Sequence, residues 1–278
     1  MTGLYLLTIK ELLSKKIILT VFIIATLFAV LLMFALNIKI GGMDSKFIIS
    51  VFGNQLDAQG TTQDNNFTPE KLMSYIHSGI AVAVFFVSLF ISLFSVSSVF
   101  PDMLKKGNID LIISKPVSRS KIFFQRFSGA LTAVSLNVFY LILASWTILS
   151  LKFGIWDVYL PLSGFIIMIF FFNIYSLMTM ISMFIKNNVI SLMLTYFLVF
   201  ILSPVVAGVI RYGEYGSTAF GYLIRSFYRM LPKVSETVVY ITDLITGGQL
   251  NHSVLFASIV SGSVFVGISL LFFKRSDY

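Results

Sequence analysis

Residues able to do chemistry are few in this chain, and their spacing denies them most of it. There is no Cys, which excludes disulfides, thiolate metal sites and thiol nucleophiles together. The two histidines, His77 and His252, lie far apart, and no His/Asp/Glu cluster has metal-ligand spacing. No G-x-x-x-x-G-K-[ST] phosphate loop is present. These absences point away from an enzyme and predict no cofactor bound by this chain. What remains is one basic connection, residues 101–126, in which Lys105, Lys106, Lys115, Arg119, Lys121 and Arg126 surround a short apolar stretch. That pattern suits docking to a partner or to lipid phosphates, not bond-making.

The elements that position these residues belong in a membrane. Six runs, residues 17–36, 78–100, 127–151, 161–185, 189–210 and 253–273, contain no Asp, Glu, Lys, Arg or His, and each is 20 to 25 residues long. At about 1.5 Å per residue, a helix of that length crosses a hydrocarbon core of roughly 30 Å. Helix is the expected spanning form, because backbone N–H and C=O groups in lipid need partners within their own segment or in a closed barrel. Barrel strands would alternate polar and apolar residues, and these runs do not. With 57% hydrophobic and 12% charged residues, a soluble domain is excluded. The expectation is an all-α integral membrane protein with one domain over residues 1–278 and six transmembrane helices at about 17–36, 75–100, 127–151, 161–185, 189–210 and 253–273. No loop is long enough for a separate catalytic domain.

Lys and Arg sort unevenly between alternate connections. Residues 1–16, 101–126, Lys186 and the Lys274-Arg275 pair carry twelve basic residues, whereas segments 37–77, 152–160 and 211–252 carry eight, balanced by eight acids. The positive-inside rule then places both termini in the cytoplasm. The net charge of +8 reads as a topology signal, with no nucleic-acid partner implied. The first run follows basic residues but exceeds a usual signal h-region and lacks an A-x-A site, so it reads as a retained helix. Ahead of it, Tyr5, Leu6, Ile9, Leu12 and Leu13 share a helical face, predicting an amphipathic amino-terminal helix on the inner leaflet.

On the outer side, Thr68-Pro69-Glu70 predicts that the second spanning helix begins near Pro69. Residues 38–67 read as a polar excursion with weak patterning. Phe220, Leu223, Ile224, Phe227, Met230 and Leu231 recur at helical spacing with Arg225 and Arg229 opposite, until Pro232 stops them. A second pattern of Val238, Val239, Thr242 and Ile245 follows Ser235 and ends at Gly247-Gly248. This broken pair either lies flat on the outer face, with or without a role in transport, or dips into it.

Ion-driven carriers hold an ionisable residue at membrane depth, and these spans have none. Their polar content is Asn137, Asn173, and Ser and Thr. Small residues are spaced by four at Ser88/Ser92, Gly129/Ala133, Ser258/Gly262 and Ser263/Gly267, which predicts close helix packing. For Asn137 and Asn173 an interhelical hydrogen bond is the favoured reading.

Within the basic loop, Gly107 allows a turn, Asn108 can cap, Ile109, Ile112 and Ile113 share a face, and Pro116 disfavours helix at Lys115. Ser118 can cap the third span. Two readings stay open on these grounds: a lever for a soluble partner, or a positive-inside loop resting on lipid. The segment resembles the permease subunits of ABC transporters of the second exporter class. Their loop carries an acid, a Gly-Thr-Leu-Glu stretch, a leucine-rich segment, Pro-x-x-Arg and a basic residue entering the next span. Here the matching places are Asp102, Gly107-Asn108-Ile109-Asp110, Leu111-Ile112-Ile113, Pro116-Val117-Ser118-Arg119 and Arg126.

The resemblance implies a coupling interface formed by Gly107, Asn108, Ile109, Asp110, Leu111, Ile112, Ser114, Lys115, Pro116 and Arg119, seated on separate ABC ATPase subunits that bind ATP and Mg. It also implies a second permease, identical or a sister chain, a cytoplasmic-membrane location with contacts to membrane lipids, and an outer gate built from Phe220, Leu223, Ile224, Phe227, Leu231 and Pro232. The alternatives are a partner-independent channel or secondary carrier, and a membrane scaffold without a translocation path.

Overall fold

The computed structural model describes residues 3–14, 16–40, 47–51, 54–57, 69–105, 107–108, 117–212 and 219–275. Helices α1 (Gly3–Ser14) and α2 (Ile17–Ala35) meet at 66°. Three strands follow, β1 (Leu36–Ile40), β2 (Phe47–Val51) and β3 (Asn54–Asp57), paired antiparallel in that order with Ile38 opposite Ile49 and Ile49 opposite Leu56. The expected helical class holds for the rest of the described chain, and these short strands fall in and beside the segment read as a polar excursion. Leu36-Asn37-Ile38-Lys39-Ile40 alternates with period two, and the second strand is rich in β-branched residues, both of which favour strand.

The rest of the described chain is helical. α3 (Pro69–Val96) starts at the proline that the sequence marks as its first position, and α4 (Val99–Met103) prolongs it after a break at Ser97-Ser98. Then come α5 (Arg119–Phe153), α6 (Tyr159–Ile185), α7 (Asn188–Tyr196), a π-helical turn (Phe197–Leu202), α8 (Ser203–Tyr212), α9 (Ala219–Met230), α10 (Val234–Thr246) and α11 (Ser253–Arg275). Five helical segments among the described residues, Met73–Met103, Arg119–Lys152, Tyr159–Ile185, Asn188–Arg211 and Ser253–Arg275, are long and apolar enough to cross a membrane. The chain is an α-helical multi-pass membrane protein.

Contacts between distant segments define two ends of the bundle. At the near end, Arg119 at the start of α5 donates to the Lys274 carbonyl at the end of α11, 3.0 Å away. At the far end, Lys152 of α5 donates to the Met33 carbonyl of α2 at 2.6 Å, and His77 of α3 meets Asp157, between α5 and α6, at 3.2 Å. α6 runs through the middle, packed against α11, α5, α7, α10 and α3.

The span predicted over residues 189–210 is not a uniform α-helix. Pro204 has no N–H to offer the Phe200 carbonyl, and its ring crowds that turn, so the helix widens to π geometry just before it. Two bonds pin the irregular stretch: Tyr196 donates to the Phe90 carbonyl at 2.7 Å, and Ser203 donates to the Pro232 carbonyl at 2.6 Å. Hydroxyls elsewhere in the spans turn back on their own helices, as Ser145 does on Leu141 and Ser182 on Met178, each at 2.8 Å. Asn137 and Asn173 depart from expectation: both are buried, yet neither side-chain atom of Asn137 has a partner, nor does Oδ1 of Asn173.

The small-residue pairs divide. A Cβ on Gly262 would stand 2.8 Å from Phe172 Cε1 and 3.1 Å from the Asn173 Cα, so α11 and α6 meet there nearly backbone to backbone. A Cβ on Gly129 would stand 3.0 Å from the Thr8 Cβ, which seats α1 on α5. Gly267 meets nothing within 4 Å. Gly262→Leu is therefore expected to destabilise by about 1–3 kcal/mol through overpacking, while Gly267→Leu stays near neutral. Thermal unfolding of the two purified variants in detergent, side by side with the parent, checks this.

Candidate functional site

At the near end the polypeptide reverses immediately after α4. Phe100 and Met103 are buried, and the Phe100 ring lies 5.2 Å from Phe123 of α5. From there the rings continue, Phe123 to Phe127 at 6.0 Å, Phe127 to Tyr175 at 4.9 Å and Tyr175 to Phe171 at 5.8 Å. Each such contact adds about 0.5–1.5 kcal/mol beyond area burial, so both flanks of the loop are anchored to α6 by stacked aromatics.

Asp102 organises the exit. Its carboxylate accepts from Lys105 Nζ at 2.6 Å and its carbonyl accepts from Asn108 Nδ2 at 3.0 Å, while Gly107 takes the left-handed backbone at φ +89° that the turn requires. Ile109, Asp110, Leu111, Ile112, Ser114, Lys115 and Pro116 lie outside the described residues. The chain is described again from Val117. Ser118 occupies the N-cap position of α5 as predicted, with extended backbone at ψ 141°, but its hydroxyl makes no cap bond; its carbonyl accepts from Lys121 N at 3.0 Å. The Arg119 guanidinium, expected to face a partner or lipid phosphates, spends one N–H on the last turn of α11. Arg126 is buried and ion-paired with Glu11 of α1, with its Nε left unpartnered.

At the far end the predicted gate residues do not gather on one surface. Leu223 and Phe227 are exposed, Ile224 is half-buried, and Leu231 and Pro232 are buried in the break between α9 and α10. The Phe220 side chain lies outside the described set. Helix α10 turns Val234, Thr237, Ile241, Leu244 and Ile245 into the bundle, against α3 and α6. Of the apolar pattern Val238, Val239, Thr242 and Ile245, Ile245 is buried, Val238 packs partly buried against the core and Val239 is half exposed. Gly247 ends the helix at φ 77°, as its position predicts.

The inward rotation of α10 leaves a cavity of about 610 Å³ between α8, α10 and the start of α11. Arg211, Tyr228, Glu236, Tyr240 and Asp243 supply its polar lining, with Ala207, Gly208 and Val254 among its apolar walls. Tyr228 donates to Glu236 Oε1 at 3.0 Å, Lys233 Nζ lies 3.2 Å from Glu236 Oε2, and Tyr240 OH meets His252 Nδ1 at 2.9 Å. Burial, then the neighbouring Glu236 carboxylate, pushes the Tyr228 hydroxyl above its ordinary range, and burial does the same to Tyr240. The other imidazole is held separately. His77 faces Asp157 and keeps a buried Nε2 without a partner, while the Asp157 carbonyl accepts from Trp146 Nε1 at 2.7 Å.

Sequence reasoning missed this cavity. A signal was available: Glu236, Tyr240 and Asp243 recur at i, i+4 and i+7, a polar stripe beside the apolar face of α10. Among the described residues no group of three His, Asp or Glu side chains converges to hold a metal ion. No protein-family model and no curated protein matches the chain.

The raised Tyr228 hydroxyl has a pH consequence. Above the ordinary tyrosine range of about 10, the unfolded phenol loses its proton while the folded one keeps it, so stability falls as pH rises. The thermal midpoint of the parent should start to fall as pH rises through about 10 and keep falling above it, and Tyr228→Phe should flatten part of that fall.

Proposed function

We propose that this chain is the transmembrane permease subunit of an ATP-driven exporter of the second ABC exporter class. The reading is carried by one pairing of features. The spans hold no ionisable residue at mid-depth, and the loop between α4 and α5 bears a proline-stopped segment that resembles the coupling motif of those permeases. A machine with no fuel site or proton relay of its own must take its work from a partner.

In this proposal α2 is the first of six spans and α1 lies along the cytoplasmic interface, as its exposed Leu6, Leu7 and Leu13 beside its buried Thr8 and Leu12 suggest. Both termini are cytoplasmic, and α9 and α10 form the extracytoplasmic gate. Two ATPase subunits binding ATP and Mg engage residues 108–115 of this chain and of a second permease, identical or related. Their closure displaces the loop, and the aromatic stack from Phe100 to Phe171 passes the displacement to α6. A path then opens along the permease–permease interface.

Ile109→Asp combined with Leu111→Asp should abolish co-purification with the ATPase subunit of the proposed complex and ATP-coupled transport; undiminished recovery of the complex would contradict the docking role. Sidedness gives a second check. The chain has no Cys, so single-cysteine variants at Ser118 and Ser235 report directly. Impermeant maleimide added outside intact cells should label Ser235→Cys and spare Ser118→Cys, and the reverse pattern would overturn the orientation.

A further inference from the structure

The far-end cavity carries charges of both signs in its lining. Its volume, about 610 Å³, falls in the range of small-molecule sites, which run from roughly 300 to 1,000 Å³. Three of its charged side chains have different standings. Glu236 is answered twice, by the Tyr228 hydroxyl and by Lys233. Arg211 and Asp243 line the same space, and among the described residues neither side chain has a hydrogen bond or ion pair, although the Arg211 charge acts on the Tyr228 hydroxyl. They come from different helices, α8 and α10, whose separation is set by the Ser203–Pro232 bond and the packing of α10 on α3 and α6.

A cation from α8 and an anion from α10 lining one cavity create a field across it. A ligand bearing one charge gains at one wall and is left with an unanswered charge of its own sign at the other. A ligand bearing an anionic and an ammonium group at matching separation gains at both. Gly208 and Ala207 leave room on the α8 wall, and Val254 adds an apolar contact.

We propose that this cavity binds a zwitterion, its phosphate or carboxylate on Arg211 and its ammonium on Asp243, with the Tyr228 and Tyr240 hydroxyls as flanking hydrogen-bonding groups. The same chemistry is offered by a soluble amine-bearing phosphate or by a phosphatidylethanolamine headgroup in the adjoining leaflet. The site stands on the geometry of α8, α10 and α11 and does not rest on the exporter reading. Its test uses no ATPase, so the two can fail separately.

The full chain is reconstituted in phosphatidylglycerol nanodiscs and titrated calorimetrically with glycerophosphoethanolamine, glycerol 3-phosphate and ethanolamine. The zwitterion should bind about tenfold or more tightly than either half, and Arg211→Gln, Asp243→Asn and the cavity-filling Ala207→Trp should each weaken it about tenfold or more. Unfolding midpoints of the variants confirm that they remain folded, and the charge-neutral pair keeps the test valid if Ala207→Trp does not fold. A parallel arm measures lipid retained by the purified chain from mixed phosphatidylethanolamine and phosphatidylglycerol membranes, by native mass spectrometry. Binding of the soluble probe without retention of phosphatidylethanolamine identifies a soluble ligand. Retention of phosphatidylethanolamine alone, lost in Arg211→Gln and Asp243→Asn, identifies the lipid. No binding in either arm, glycerol 3-phosphate binding as tightly as the zwitterion, or binding indifferent to all three substitutions would overturn the proposal.

Discussion

The exclusion of charge from the middle of the bundle is the constraint on which the rest depends. Hydrocarbon offers backbone and side-chain polar groups no water, so each must find a partner inside the protein or stay away. The spans obey by folding as helices and by turning Ser and Thr hydroxyls onto carbonyls of their own helix. The exceptions are instructive. Asn137 is buried with both side-chain atoms unpartnered, beside the buried Ser92, whose hydroxyl is also unpartnered. Arg126, at the near edge, is buried only because Glu11 is brought to it by α1, and α1 is brought close by the missing side chain of Gly129.

Because the middle is inert, everything capable of recognition collects at the two ends, and the helices between them serve as connections. Phe100, Phe123, Phe127, Tyr175 and Phe171 tie the near-end loop to the central helix α6. At the far end, α10 leans on the same helix, and the Ser203–Pro232 bond joins the break between α9 and α10 to the irregular turn before α8. The π turn forced by Pro204 places a wider, weaker stretch of helix directly on that route.

Much of this was legible in order. Charge-free runs located the five helices long and apolar enough to cross a membrane, Pro69 marked the start of α3, Pro232 marked the break and Gly247 marked the end of α10, because each of these is a local effect of composition or backbone geometry. What was not legible depends on partners distant in sequence. Arg119 looked free to face a partner, yet it reaches a carbonyl 155 residues away. Thr237 and Tyr240 of α10 are buried, a choice made by α3 and α6 and not by the hydropathy of α10. The strands at 36–57 were overlooked because membrane-span reasoning does not look for period-two alternation just past a span. The cavity needed three helices at once.

Under the proposed coupling role, motion enters the membrane from the loop between α4 and α5, where residues 101–126 carry six basic residues. A photo-crosslinking residue at position 112, activated in native membranes, tests this most directly. The account predicts a covalent adduct to a nucleotide-hydrolysing soluble subunit, with a yield that changes between nucleotide-free and ATP-bound membranes. Adducts to lipid alone, or a yield indifferent to nucleotide, would contradict it.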